Sequence, residues 1–443
     1  MPKIYFNLLS FLRYSPEHLL INDVIIVTIN YRLHILGFLS LPAFGIHGNN
    51  GLKDQQIALQ WTYENIANFN GDPENICLFG ESAGATCVHF HVLNEKSRKF
   101  IKSAICQSGT AFSSVLARLD TVENDVFKVA KLLGYKSDSI AEAFETLLKA
   151  PVQDLYENCE GNPKPIETIL RMRRWLPVVE PESENAFLTK TILNLFVSQA
   201  GKVKIPMIFG TNDGDGMARV AGALKILDKL NENISIIFPK DISMHATSLA
   251  TLSSDFKKFY FGNKDVSNDS LNELCAFFSD LIYLWSQTLS VDAMSLLMAE
   301  SKLFLNEFRF VGKLNIQKKL VKLEELKGAC HADDLFYLFG GVLESEVQRD
   351  PDSREEKVRA NLCRMWTNFA KFNDPTPECD DFLKFKWDSI KPLSQQKLGD
   401  SNHECLVIDD NPRMVKNMKK HRMDFFKSKF RNFSSCPQAA AKL

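Results

Sequence analysis

Residues 75–93, NICLFGESAGATCVHFHVL, pass from a short apolar run to a helical pattern through GESAGA (80–85). A chain that leaves a buried strand and enters a helix within so few residues must turn tightly, and little else in the sequence limits the fold as much. The turn carries Ser82, with glycines two residues to either side. A Gly-x-Ser-x-Gly match alone is weak, because at typical usage of about 7% for each residue type it arises by chance in roughly one ordinary protein of this size in ten. The strand before it and the helix after it change that: they place a serine hydroxyl at the tip of a strained elbow, where Gly80 and Gly84 must be small for backbone and helix to approach.

The remainder alternates in the same way. DVIIVTINYR (23–32) reads as a buried strand, and LKDQQIALQWTYENIANF (52–69) as a helix closed by the turn NGDP. KSAICQSG (102–109) and IPMIFG (205–210) read as further strands with a helical excursion between them, and KLFLNEFRF (302–310) as a late strand. Residues 353–372 form the most regular helix, with Val358, Leu362, Trp366 and Phe369 on one apolar stripe that core packing explains. Such alternation predicts an α/β fold, a mostly parallel sheet flanked by helices. Without repeats, low-complexity tracts or a linker, residues 1–443 read as a single domain, poorly defined over about the first 20 residues.

Composition excludes several classes. Lys plus Arg number 53 against 54 Asp plus Glu, so no net field favours nucleic acid or a charged membrane. The densest cationic run, KNMKKHR (416–422), reads as a solvated helix face. Ten cysteines lack metal-type spacing, which gives no zinc signal and leaves the redox compartment open. The first residues show no signal peptide, and no apolar stretch approaches the roughly 18 residues of a membrane span.

A nucleophilic serine requires a base, and the base an orienting acid; folds that display the serine on such a strand–turn–helix elbow carry them in the chain order Ser, acid, His. Of the nine histidines, His89 and His91 follow Ser82 on its helix and read as packing or surface residues. His331, in GACHADDLFYLFG, lies in a Gly-led loop beyond the late strand and is the candidate base. FGTNDGDGM places Asp213 and Asp215 just past a strand end, where such sites assemble.

These residues carry a resemblance. NYRLHILGFLSL, GNNGLKDQQIALQWTYENIANFNGDPENICLFGESAGA, CQSGTAF and CHADDL resemble the type B carboxylesterases, with a flavour similar to insect alpha-type and juvenile hormone esterases, and the likeness runs along nearly the whole chain. It implies an α/β-hydrolase fold and hydrolysis of a small carboxylic ester through an acyl-enzyme, with no metal or organic cofactor. It also implies a triad of Ser82, His331 and an acid in a G-x-x-x-x-E-G pattern. Here that pattern reads GTNDGDG, so Asp215 stands where the family usually has Glu, and it is preferred to Asp213. The resemblance further implies a strand ending in an HGGG-like loop, upstream of residues 14–27, whose N–H groups supply most of the oxyanion hole. This chain has no glycine before Gly37, which leaves the Ala83 N–H as the one donor and KIYFNLL (3–9), of irregular or helical character, as the only substitute strand. An incomplete gene model, a shortened homologue of impaired catalysis, and a non-catalytic binding or adhesion module are the readings this leaves.

Cytosol is the expected location. The terminal AKL, similar to a peroxisomal address, offers a second, and the sequons at Asn233, Asn268 and Asn432 matter only in a secreted form.

Overall fold

The computed structural model describes residues 14–113, 122–160, 174–238, 248–262, 264–298, 300–344, 350–378, 383–391 and 403–430. KIYFNLL, Asn432 and the terminal AKL lie outside the described residues.

Helices α1 (His34–Phe38) and α2 (Asn50–Asn65) precede strand β1 (Cys77–Glu81), which turns directly into α3 (Ala83–Leu93). After β2 (Ser103–Gln107) comes an excursion through α4 (Glu123–Leu132), α5 (Ile140–Lys149) and α6 (Val152–Asn158), and the chain returns as β3 (Met207–Asn212). A second excursion includes α7 (Leu249–Phe261), α8 (Leu271–Ser279) and α9 (Trp285–Leu297) and ends at β4 (Leu303–Phe308). Helix α10 (Arg354–Phe372), strands β5 (Glu404–Ile408) and β6 (Arg413–Lys416), and helix α11 (Lys420–Lys429) follow.

The strands lie side by side in chain order, β1 through β5 parallel and β6 antiparallel to β5. Every residue of β2, β3 and β4 is buried, as expected of parallel strands covered by helices on both faces. Helix α10 covers one face. Ser353 caps its start by accepting from the Glu356 N–H, and Val358, Leu362, Trp366 and Phe369 are all buried. Phe369 meets Phe304 of β4 edge-on at 5.9 Å. The expected strands at 75–80, 102–109, 205–210 and 302–310 and the helix at 52–69 all appear within a few residues of their expected limits. Strands β5 and β6 are not among the strands expected from the sequence.

Two expectations fail. DVIIVTINYR forms no strand: among the described residues it pairs with no other strand, and Ile25, Val27 and Ile29 are exposed. Its residues have strand character, but a strand exists only as a ladder, and among the described residues β1 pairs only with β2. Nor is KNMKKHR merely a solvated face. Lys419 reaches the fully buried Glu307 of β4, and Arg422 lies 2.8 Å from the fully buried Asp280. Burial would raise the Glu307 carboxyl, yet Lys419 and Arg309 hold it below its usual range, which makes these cations obligatory partners of interior charge.

Candidate functional site

Strand β1 delivers Ser82 to the C-terminal edge of the sheet with φ 56° and ψ −118°, a left-handed φ that a side chain adopts only when its surroundings impose it. The imposition is visible. The Ser82 N–H donates to the Gln107 carbonyl at 2.7 Å, and its own carbonyl accepts from the Thr86 N–H at 3.1 Å, the first bond of α3. A Cβ on Gly80 would lie 2.6 Å from the Gly84 carbonyl carbon, and one on Gly109 would lie 2.1 Å from the Ser82 carbonyl oxygen. At Gly84, by contrast, an added Cβ meets nothing within 4 Å. The steric demand therefore falls on Gly80 and on Gly109, which the sequence pattern did not single out, and Gly84 contributes only the backbone that Gly80 approaches.

His331 arrives from the other side on a loop tied at both flanks. Asp213 accepts the Ala329 N–H at 2.7 Å, and Asp333 accepts the Cys330 N–H at 2.7 Å. Gly328, with φ +86°, leaves room for the Asp213 carboxylate, which a Cβ there would meet at 2.4 Å. The imidazole Nε2 lies 2.9 Å from Ser82 Oγ, and Nδ1 lies 2.9 Å from Asp215 Oδ1. Asp215 is fully buried and also accepts from the Ser108 hydroxyl at 2.9 and 3.0 Å and from the Asn212 N–H at 3.0 Å. So Ser82, His331 and Asp215 converge with the imidazole in the middle, and Asp213 serves the loop instead. Burial and the nearby Glu307 carboxylate push Asp213 up to about 6.

Four further side chains complete the surroundings. Glu81 Oε1 lies 3.0 Å from His331 Nε2, the same nitrogen that faces Ser82. A π-helical turn, Asp280–Leu284, joins α8 to α9 and sets the Tyr283 ring 4.6 Å from the imidazole. Asp334 accepts from Gln107 Nε2 at 2.6 Å and from Asn212 Nδ2 at 3.1 Å, and burial, with the Glu81 charge second, pushes it up to about 7. Ser108 holds Asp215 as described. CQSGTAF and CHADDL contain Ser108 and Asp334, yet their spacing assigned neither a role. Only the register of β2 against β1 and β3 aims them at the site.

The electrostatics follow. Burial disfavours the charged imidazole, but Glu81, Tyr283 and Asp215 outweigh it and hold His331 well above its ordinary value. His89 and His91 are unlike it. Both are buried within α3 and lowered to about 3 by burial alone. His89 accepts the Ala111 N–H at 3.2 Å, and His91 lies 2.9 Å from both Ser97 Oγ and Gln55 Oε1, so both pack the core. Ala83 is the first residue of α3, so its N–H is one of the four that an α-helix leaves free at its start. The apparatus can remove a proton from Ser82 and return it elsewhere.

A sequence model described as the Carboxylesterase family matches residues 5–426. Juvenile hormone esterase of Tribolium castaneum is 29% identical over 397 residues, covering 85% of this chain and 66% of its own. Bile salt-activated lipase of Rattus norvegicus is 30% identical over 365 residues (80% and 56%), and neuroligin-2 of Homo sapiens 27% identical over 416 residues (91% and 47%). The chain thus spans between 47% and 66% of the length of these curated relatives. In structure it is similar to the crystallised juvenile hormone esterase of Manduca sexta with OTFP covalently attached: TM-score 0.76, 25% identity, 94% of this chain and 77% of that one.

Proposed function

Because this chain belongs to the carboxylesterase family and has its α/β-hydrolase fold, we propose that it hydrolyses a small carboxylic ester through an acyl-enzyme on Ser82. The observation that carries the reading is the unbroken path from Ser82 Oγ through His331 to Asp215, 2.9 Å at each step. Ser82 Oγ attacks the ester carbonyl while His331 Nε2 takes its proton. Asp215 accepts the Nδ1–H, which fixes the tautomer and stabilises the imidazolium. The imidazolium then gives its proton to the departing alkoxide, and water repeats the sequence on the acyl-serine. The Ala83 N–H donates to the developing oxyanion. None of these steps calls on a metal or an organic cofactor.

One observation favours a second reading, an impaired homologue that binds or sequesters rather than turns over: these 443 residues have no glycine before Gly37 to match the HGGG-like loop of the resemblance. A fluorophosphonate probe followed by an aryl-ester assay separates the two. Labelling of the parent but not of Ser82→Ala, with ester turnover, supports the hydrolase. Labelling without turnover supports the second reading. A folded chain that resists the probe overturns the activated serine altogether.

A further inference from the structure

Apart from the site around Ser82, one group of potential ligand atoms converges among the described residues. His34, at the start of α1, meets Cys159 and Glu160, just beyond the end of α6, and one ligand atom of each lies within 4.8 Å of the other two. His34 Nδ1 is 3.0 Å from Glu160 Oε1. The set is mixed, one nitrogen, one sulfur and one carboxylate oxygen, and that mixture suits a borderline-soft divalent ion such as zinc better than magnesium or calcium, which prefer oxygen alone. Zinc bond lengths of about 2.0–2.3 Å set tetrahedral ligand atoms roughly 3.3–3.6 Å apart, so closure requires a shift of at most about 1.5 Å.

The backbone around the group is already braced. The Cys159 carbonyl accepts from Trp175 Nε1 at 2.5 Å, and the Glu160 carbonyl accepts from the Arg174 guanidinium. Tyr156 stands edge-on to the imidazole at 6.1 Å. His34 itself holds φ +54°, a left-handed conformation that favours glycine, so an imidazole is kept where a side chain is disfavoured. The side chains of His34 and Glu160 are 33% and 24% exposed, which gives an ion an entry path and leaves a fourth position for water.

We propose that His34, Cys159 and Glu160 form a three-ligand zinc-type site, its fourth position open to water, that clips the start of α1 to the end of α6. The clip joins segments more than a hundred residues apart, and it ties the first helical excursion to the part of the chain that leads into α2. It takes no part in ester hydrolysis.

Cobalt(II) is the probe, added to the full chain in a non-thiol, non-chelating reductant. The expected result is one equivalent bound with a thiolate-to-cobalt charge-transfer band in the near ultraviolet and tetrahedral bands in the visible, displaced by zinc. Cys159→Ser removes the band. His34→Gly, which suits the left-handed backbone and therefore keeps the fold, weakens cobalt by more than about 100-fold, beyond the usual cost of losing an outer-shell partner. Zinc also raises the melting temperature of the parent and not of His34→Gly. Stoichiometric cobalt that shows no thiolate band on the folded parent, or a band that survives in Cys159→Ser, overturns the site and leaves the three side chains as a hydrogen-bonded contact.

Discussion

The two sides of Ser82 are built differently. On the side of β2, β3 and β4, each strand residue is buried, and Asp215, Ser108, Asn212, Gln107 and Asp334 form one connected set of hydrogen bonds behind the imidazole. On the other side, all five residues of β1 are only partly buried, β1 has no further partner among the described residues, and the strand-like segment 23–32 runs unpaired with Ile25, Val27 and Ile29 exposed. The contrast separates two parts of catalysis that are usually treated together. In the proposed mechanism proton transfer draws on the elbow, three adjacent strands and one tied loop, whereas on the β1 side the oxyanion is left to Ala83 among the described residues.

The largest expected effect tests the β1 side. Each missing oxyanion donor lowers turnover by roughly 10²- to 10³-fold, so a site in which Ala83 is the one donor should hydrolyse an aryl ester about 10⁴-fold or more below an ordinary esterase. Supplying an upstream strand with a Gly-rich loop should restore the rate. An ordinary rate from the chain alone would mean that another group holds the oxyanion and that the contrast drawn above is false.

Next comes the acid. Asp215→Asn should lower kcat by about 10⁴-fold through the wrong tautomer, whereas Asp213→Asn should cost less than about tenfold and show itself in melting temperature, because Asp213 bonds the Ala329 N–H and not the imidazole. The reverse order in kcat would move the acid.

A smaller effect is steric. Gly109→Ala should destabilise the fold by about 1–3 kcal/mol, as overpacking against backbone does, because its Cβ would strike the Ser82 carbonyl. Gly84→Ala, with space around it, should cost much less. Paired denaturation curves check this, and equal losses would refute the local geometry.

The smallest effect concerns pH. His331 must be neutral to accept a proton, and its raised value places the acid limb of kcat/KM above the usual imidazole range. Glu81→Gln removes the largest raising influence, so that limb should move to lower pH. A limb that stays in place would show that Glu81, though 3.0 Å away, does not govern the titration. The same linkage gives a stability sign: a raised folded value favours the folded chain below about pH 6.5, and that contribution is lost as pH rises through the raised value.

The parallel core was legible because fully buried strands such as IPMIFG read as continuous apolar runs. The elbow was legible because a strand, GESAGA and a helix leave the backbone one path. Elsewhere the same rules misled. DVIIVTINYR has the composition of a strand and no strand partner among the described residues, and KNMKKHR has the composition of a surface and supplies the counter-ions of Glu307 and Asp280. Composition states what a segment suits, whereas pairing depends on what lies beside it.

By itself, then, the sequence determined the family, the chain order of serine, acid and histidine, and the tight turn that displays Ser82, because each is written in consecutive residues whose conformations neighbouring atoms dictate. Tertiary structure alone decided that Asp213 serves the His331 loop, that Glu81 and Tyr283 share the surroundings of the imidazole, that Gly109 is the close neighbour of Ser82, and that His34 meets Cys159 and Glu160. Those relations join residues from different strands, loops and helices, and their distances are set by strand register and helix packing, which local spacing does not encode.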